Sequence, residues 1–142
     1  MTRRITLALI GIALLAAAIS AFSILERDPN LAFAGSWEAI DSDEEGSIIH
    51  ITIEPRRIAG DLLFNFRYRD NISGACEMGP SAAWDVHTFA EGYVLFVQGV
   101  WSCPDLSTYA NIDLWHFWYQ PETDTMLWGG EGGMEFHRVE SH

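Results

Sequence analysis

From Pro29 onward the sequence alternates apolar and polar residues in short runs, and Gly, Pro, Asn and Asp break the alternation at short intervals. A period of two puts successive side chains on opposite faces of a strand, so the pattern reads as all-β. Eight strands are predicted: Ser36 to Ile40, Ser47 to Glu54, Asp61 to Arg69, Ala82 to Phe89, Tyr93 to Trp101, Tyr109 to Tyr119, Thr125 to Trp128 and Met134 to Val139. The third shows the alternation best, with Leu62, Phe64, Phe66 and Tyr68 on one face and Leu63, Asn65, Arg67 and Arg69 on the other. The second sets Ile49, Ile51 and Ile53 against His50, Thr52 and Glu54. Consecutive strands joined by short loops form hairpins, and eight of them close most simply into an antiparallel up-and-down β-barrel without unpaired edges. A two-sheet β-sandwich is the alternative arrangement.

The N-terminal stretch has a different pattern. Arg3 and Arg4 precede an unbroken uncharged run from Ile5 to Leu25, which reads as a hydrophobic export or anchor helix. At about 1.5 Å per residue its 21 residues reach across a roughly 30 Å hydrocarbon layer, so an uncleaved signal anchor and a cleaved signal peptide both fit. Small residues at Ala18, Ser20 and Ala21, and the Ala32-Phe33-Ala34 triplet, offer cleavage points. Arginines before the run and acids after it place the β-rich part of the chain outside the cytoplasm. No Cys precedes Cys76, so a lipoprotein box is excluded. The expected organisation is residues 1–25 as signal or anchor, 26–34 as linker and 35–142 as one β-barrel domain.

Charge narrows the partners. The chain has 20 acids against 8 Arg plus Lys, and the 8 are all arginine. Without the leader's Arg3, Arg4, Arg27, Glu26 and Asp28, 18 acids face 5 arginines. Such a surface repels phosphate backbones and anionic headgroups, which argues against nucleic acid and confines membrane contact to the N-terminal segment. A closed barrel with no free edge is expected to be a monomer. Two cysteines in an exported chain suggest a disulfide. A turn at Ala90, Glu91 and Gly92 folds the fourth strand onto the fifth, bringing the chain before Ala82 close to the chain after Trp101, where Cys76 and Cys103 lie. The loop so closed, of roughly 27 residues, is worth about 3 to 4 kcal/mol on a chain-entropy argument.

Gly35-Ser36-Trp37, opening the first strand, resembles the G-x-W signature of lipocalins and related calycin barrels, in which the Trp plugs one barrel end. Trp37, Asp41, Asp43 and Gly46-Ser47, with the closing Pro121-Glu122-Thr123-Asp124-Thr125 hairpin and Phe136-His137-Arg138-Val139, also resemble small exported bacterial domains of unassigned activity. Avidins and periplasmic metalloprotease inhibitors are similar in size, barrel form and opening Trp. The resemblance implies a barrel and supplies no function or binding residues.

Candidate chemistry concentrates in Leu114-Trp115-His116-Phe117-Trp118-Tyr119, a strand aromatic on both faces. That pattern fits a large core, a pocket for an apolar or ring-bearing ligand, or an apolar surface for a partner. Trp84, Trp101, Trp115, Trp118, Tyr119 and Trp128 are the candidate ligand-binding residues, because each couples a stacking ring to a polar atom. His50, His87, His116 and His137 fall on four predicted strands without the spacing of metal ligands. Asp41, Asp43, Glu44 and Glu45 offer oxygens to Ca²⁺ but match no EF-hand, and a solvated hairpin loop is expected there. Pairs such as Asp113 with Glu135 can meet inside a closed barrel as acid and base, but 18 carboxylates in the folded part produce such pairings by chance, and no active site is expected. No nucleophile elbow, metalloprotease helix, P-loop or dinucleotide fingerprint occurs. The expected function is a non-catalytic extracytoplasmic barrel, without cofactor, that binds a small apolar or aromatic ligand. The alternative is an interaction module, such as an inhibitor or envelope accessory protein, that binds another envelope protein.

Overall fold

A computed structural model of the chain describes residues 29–140 apart from Asp43, Glu44, Met78 and Ser107. The predicted export or anchor segment, and residues 26–28 of the linker, lie outside the described residues. Among the described residues no helix is long and apolar enough to cross a membrane.

The eight strands are β1 (Gly35–Ile40), β2 (Ile48–Ile58), β3 (Asp61–Ser73), β4 (Gly79–Glu91), β5 (Val94–Ser102), β6 (Tyr109–Gln120), β7 (Thr125–Trp128) and β8 (Met134–Val139). Each runs antiparallel to the next, and β8 returns to pair with β1, so the sheet is a closed barrel. The sandwich alternative is thereby excluded. All eight observed strands overlap their predicted spans, and the differences have local causes. The predicted second strand stops at Glu54 because Pro55 cannot donate to a ladder. β1, however, pairs only with Ile48 through Ile53, so Pro55 lies where one side of β2 has no neighbour, and the strand continues to Ile58. β3 and β4 run beyond Arg69 and before Ala82 because an irregularity between Asp70 and Ser73 carries the ladder on to the pair Ser73 and Gly79.

Inward-facing side chains fill the barrel. Phe33, Trp37, Ile49, Ile51, Ile53, Phe64, Phe66, Leu95, Val97, Phe117, Met126 and Phe136 are all essentially inaccessible to solvent. They come from both halves of the chain, as a core closed by β8 on β1 requires.

Because the chain meanders up and down, its connections segregate to two ends. One end holds the β2–β3, β4–β5 and β6–β7 turns together with both ends of the described chain. A short 3-10 helix, Pro29–Phe33, crosses it and buries Phe33. This stretch, expected as linker, is part of the folded unit. The Trp37 indole donates to the Phe33 carbonyl at 2.9 Å, and Tyr119 meets both rings edge-on at 6.0 and 6.3 Å. Arg138 lies 4.1 Å over the Trp37 ring. Its guanidinium donates to the carbonyls of Ala32 and Ala34, each at 2.7 Å, and to Asp124. Trp37 therefore plugs this end, with an arginine lid over it.

The opposite end carries the β1–β2, β3–β4, β5–β6 and β7–β8 loops. Cys76 and Cys103 form the expected disulfide there, with Cα atoms 5.5 Å apart. It ties the β3–β4 loop to the start of the β5–β6 loop. The β1–β2 loop is fastened by the end of β3. Ser47 Oγ donates to buried Asp70 at 2.8 Å, the Asn71 side chain donates to the Gly46 carbonyl, and the Ile48 N–H donates to Asn71 Oδ1.

Candidate functional site

The candidate site follows from which aromatic residues face inward, and the two-residue period of each strand decides this. On β6, Trp115, Phe117 and Tyr119 point into the barrel while His116 and Trp118 point out, as their pairing with inward Val97 and Leu95 and outward Phe96 and Val94 shows. The two-sided aromatic run thus contributes to two different surfaces.

The fold divides the six candidate ligand-binding residues among three places. Trp101, Trp115 and Trp128 face inward near the disulfide end. Tyr119 faces inward at the opposite end, in the Trp37 plug. Trp84 and Trp118 stand on the outer wall, 46% and 47% exposed, so neither belongs to an interior site.

Two of the inward tryptophans, Trp115 and Trp128, gather around Tyr68 of β3, which the alternation of that strand places on the inner face, while Trp101 stands on β5 at the same end. Trp115 and Trp128 approach to 4.7 Å between ring centroids, and Tyr68 packs edge-on against them at 5.5 and 6.0 Å. Edge-to-face pairs of this kind are worth about 0.5 to 1.5 kcal/mol each beyond the area they bury. Met134 of β8 lies cross-strand from Trp128. Phe66 and Phe117 form the layer beneath, with Phe66 6.4 Å from Trp115 and Phe117 5.8 Å from Trp128. That layer is sealed, whereas Trp101, Trp115, Trp128 and Met134 are only partly buried. Inward-facing rings that still touch solvent line a mouth.

Polar groups rim the mouth. The Trp101 indole donates to Ser81 Oγ at 3.1 Å. Asp70, 4% exposed, accepts from Ser47 and from the Ile72 N–H at 3.0 Å. Apolar rings below and a few fixed polar atoms above form the usual composition of a small-molecule site. Sequence reasoning missed Ser81, Asp70 and Met134. Ser81 and Asp70 were hidden because an inward polar residue breaks the alternation from which strand faces are read.

The other candidate chemistry is dispersed. Asp113 and Glu135, the example of a chance carboxylate pairing, are both exposed strand residues that do not face the interior. Asp113 sits where the β5–β6 register shifts between Val97 and Gly99, which turns it out of the inner row. His50 pairs with Glu38 on the outer wall at 3.0 Å, and His87 and His137 are also exposed there. Among the described residues no group of His, Cys, Asp and Glu can hold a metal. Asp41 and Glu45 flank the β1–β2 loop without forming such a group, and Asp43 and Glu44 lie outside the described residues.

No protein-family model, curated protein or solved structure matches the chain.

One titratable group shifts clearly. Burial, and then the hydrogen bond to the neighbouring Asp124 carboxylate, hold the Tyr119 phenol above its ordinary value. It remains a donor to Asp124, at 2.9 Å, at any physiological pH. This group belongs to the plug and not to the mouth.

Proposed function

We propose that the protein is an extracytoplasmic, non-catalytic binding barrel whose mouth, lined by Tyr68, Trp101, Trp115 and Trp128, receives a small apolar or ring-bearing ligand. One observation carries this reading. Phe64, Phe66 and Phe117 are sealed in the middle of the barrel, and at the Trp37 end the partly buried Tyr119 is engaged by Phe33, Trp37 and Asp124. At the disulfide end, by contrast, Trp101, Trp115 and Trp128 of β5, β6 and β7 remain partly exposed, with the buried Tyr68 of β3 packed against Trp115 and Trp128. A sealed aromatic cluster is core, and an open one with a polar rim can take a guest. The disulfide supports an oxidising compartment, in keeping with the apolar segment that precedes the barrel. The Gly35-Ser36-Trp37 opening and its plug support a calycin-type barrel.

The test is a titration of the full chain with a panel of apolar and aromatic probes headed by 1-anilinonaphthalene-8-sulfonate, following tryptophan emission and melting temperature. The reading expects quenching or a spectral shift with a rise in melting temperature, both lost in Trp115→Phe with Trp128→Phe and kept in Trp118→Phe. If neither signal moves across the panel, the mouth is not a binding site. If only Trp118→Phe abolishes the response, binding belongs to the outer wall and the interaction-module alternative replaces this one.

A further inference from the structure

The outer wall is not uniformly acidic. From Gly35 onward 18 carboxylates face only 5 arginines, yet four of the five, Arg56, Arg57, Arg67 and Arg69, lie on the β2–β3 hairpin. Arg56 is committed to Asp85 at 3.7 Å. Arg67 and Arg69 stand exposed, two positions apart on the outer face of β3, and neither side chain forms an ion pair or hydrogen bond among the described residues.

The neighbouring strands turn this pair into a groove. Arg67 is flanked by Thr52 and Trp84, and Arg69 by His50 and Ala82. Short side chains at Thr52 and Ala82 leave a trough of about 700 Å³ beside the two guanidinium groups, with the half-exposed Trp84 as its wall. A second trough of about 500 Å³ shares Arg69 and Trp84 and continues past Pro80 to Pro104 and Leu106, so its further half is apolar. Two unpaired arginines on an acidic wall contribute nothing to the packing of the barrel. Arg and Trp together are the residue types that dominate binding hot spots.

We propose that this double groove docks an extended acidic segment of a partner protein. Its carboxylates at alternate positions meet Arg67 and Arg69, and a following apolar side chain lies against Trp84, Pro80 and Leu106. The repeat matches, because side chains two apart on a strand are separated by roughly 6.7 Å in β3 and in an extended guest alike. Charge complementarity selects the face. The rest of the barrel repels an acidic chain, so attraction is confined to this wall and sets the guest's register and approach. The apolar half selects the class of guest, since a simple anion or an acidic sugar polymer has nothing to place beside Leu106. The groove borders the mouth, reaching Tyr68 in one trough and Ser81 in the other. Arg67, Arg69 and Trp84, the side chains that carry the proposal, nevertheless stand on the outer wall and are not among the residues assigned to the mouth, so loss of peptide binding in their variants is distinguishable from loss of ligand binding inside the barrel.

The test uses the full chain in a non-ionic detergent and a short dye-labelled peptide in which Asp alternates with Ser and a Leu-Phe pair comes after them. Fluorescence anisotropy is expected to show binding that weakens with added salt. Replacing every peptide Asp by Asn should abolish it, and replacing Leu-Phe by Ser-Ser should weaken it. Arg67→Gln with Arg69→Gln should cost about tenfold in affinity or more, and Trp84→Ala several-fold, whereas Arg67→Lys with Arg69→Lys should retain part of it. Both arginines are exposed and unbonded, so the circular dichroism spectrum and melting temperature of these variants should match the parent. No binding at millimolar peptide, equal binding of the Asn peptide, or indifference to the Arg67/Arg69 pair overturns the proposal. Polygalacturonate that competes for the site as well as the peptide, with Leu-Phe dispensable, overturns the choice of a polypeptide guest.

Discussion

Asp85 does two things at the point where β3 and β4 part. The β3–β4 ladder ends at Arg67 and Trp84, and just beyond it the Phe66 N–H, which has lost its strand partner, donates to Asp85 Oδ1 at 3.0 Å. The other carboxylate oxygen faces Arg56, and the Asp85 side chain is 11% exposed. Asp85→Ala therefore leaves a partly buried amide without its acceptor and the Arg56 guanidinium without its counter-charge, at an expected cost of about 2 kcal/mol. Asp85→Asn keeps an acceptor for Phe66 and should cost clearly less. Chemical denaturation of the two variants side by side checks the order. At Tyr119 the consequence is one of pH. Its folded-state pKa lies above the unfolded value near 10, so its contribution is complete below pH 10 and disappears as pH rises through the folded value. Tyr119→Phe should lose a fraction of a kcal/mol at neutral pH and show a shallower alkaline decline than the parent in melts from about pH 9 to 11.

At the scale of elements, the start of β1 depends on one missing side chain. Gly35 has φ of +134°, and a Cβ there would lie 2.7 Å from the Arg138 Nη1 that donates to the Ala34 carbonyl. Gly35→Ala combines backbone strain with displacement of the arginine lid, and a loss of about 2 kcal/mol is expected. In an Arg138→Ala background the part due to displacement should vanish, and a double-mutant cycle measures it. Gly99 is under similar constraint, since a Cβ would fall 2.2 Å from the Trp84 carbonyl where β4 and β5 change register. The strands themselves could be read from the alternation because each has one face on the core, as in Phe64, Phe66 and Tyr68 against Asn65 and Arg67. Register shifts could not. The pattern of β6 does not show that Asp113 and Leu114 together oppose Gln98, and so it does not show that Asp113 leaves the inner row. The candidate site was legible to the same degree. Aromatic character marks all six candidates but does not reveal which wall a ring stands on, and the fold puts Trp101, Trp115 and Trp128 on the inner wall and Trp84 and Trp118 on the outer. The Arg138 lid joins positions 104 and 106 residues apart, and no local pattern encodes such a contact.

For the molecule as a whole, stability is expected to depend on the oxidised state. The Cys76–Cys103 bridge closes a span of 27 residues that includes β4 and β5. Breaking it, by reduction or as Cys76→Ser with Cys103→Ser, should cost about 3 to 4 kcal/mol and lower the thermal midpoint by well over 10 °C. An unchanged midpoint on reduction would show that the loops at that end are held without it, through the contacts of Asp70 and Asn71.

An even number of strands has a directional result. The backbone enters through the 3-10 helix and leaves through β8 beside it, as Ser36 opposite Val139 records, so both continuations of the polypeptide depart from the Trp37 face. A tether joined to either terminus grips the molecule by its stoppered base. The aromatic opening then points away from whatever holds the tether, toward molecules arriving from beyond it.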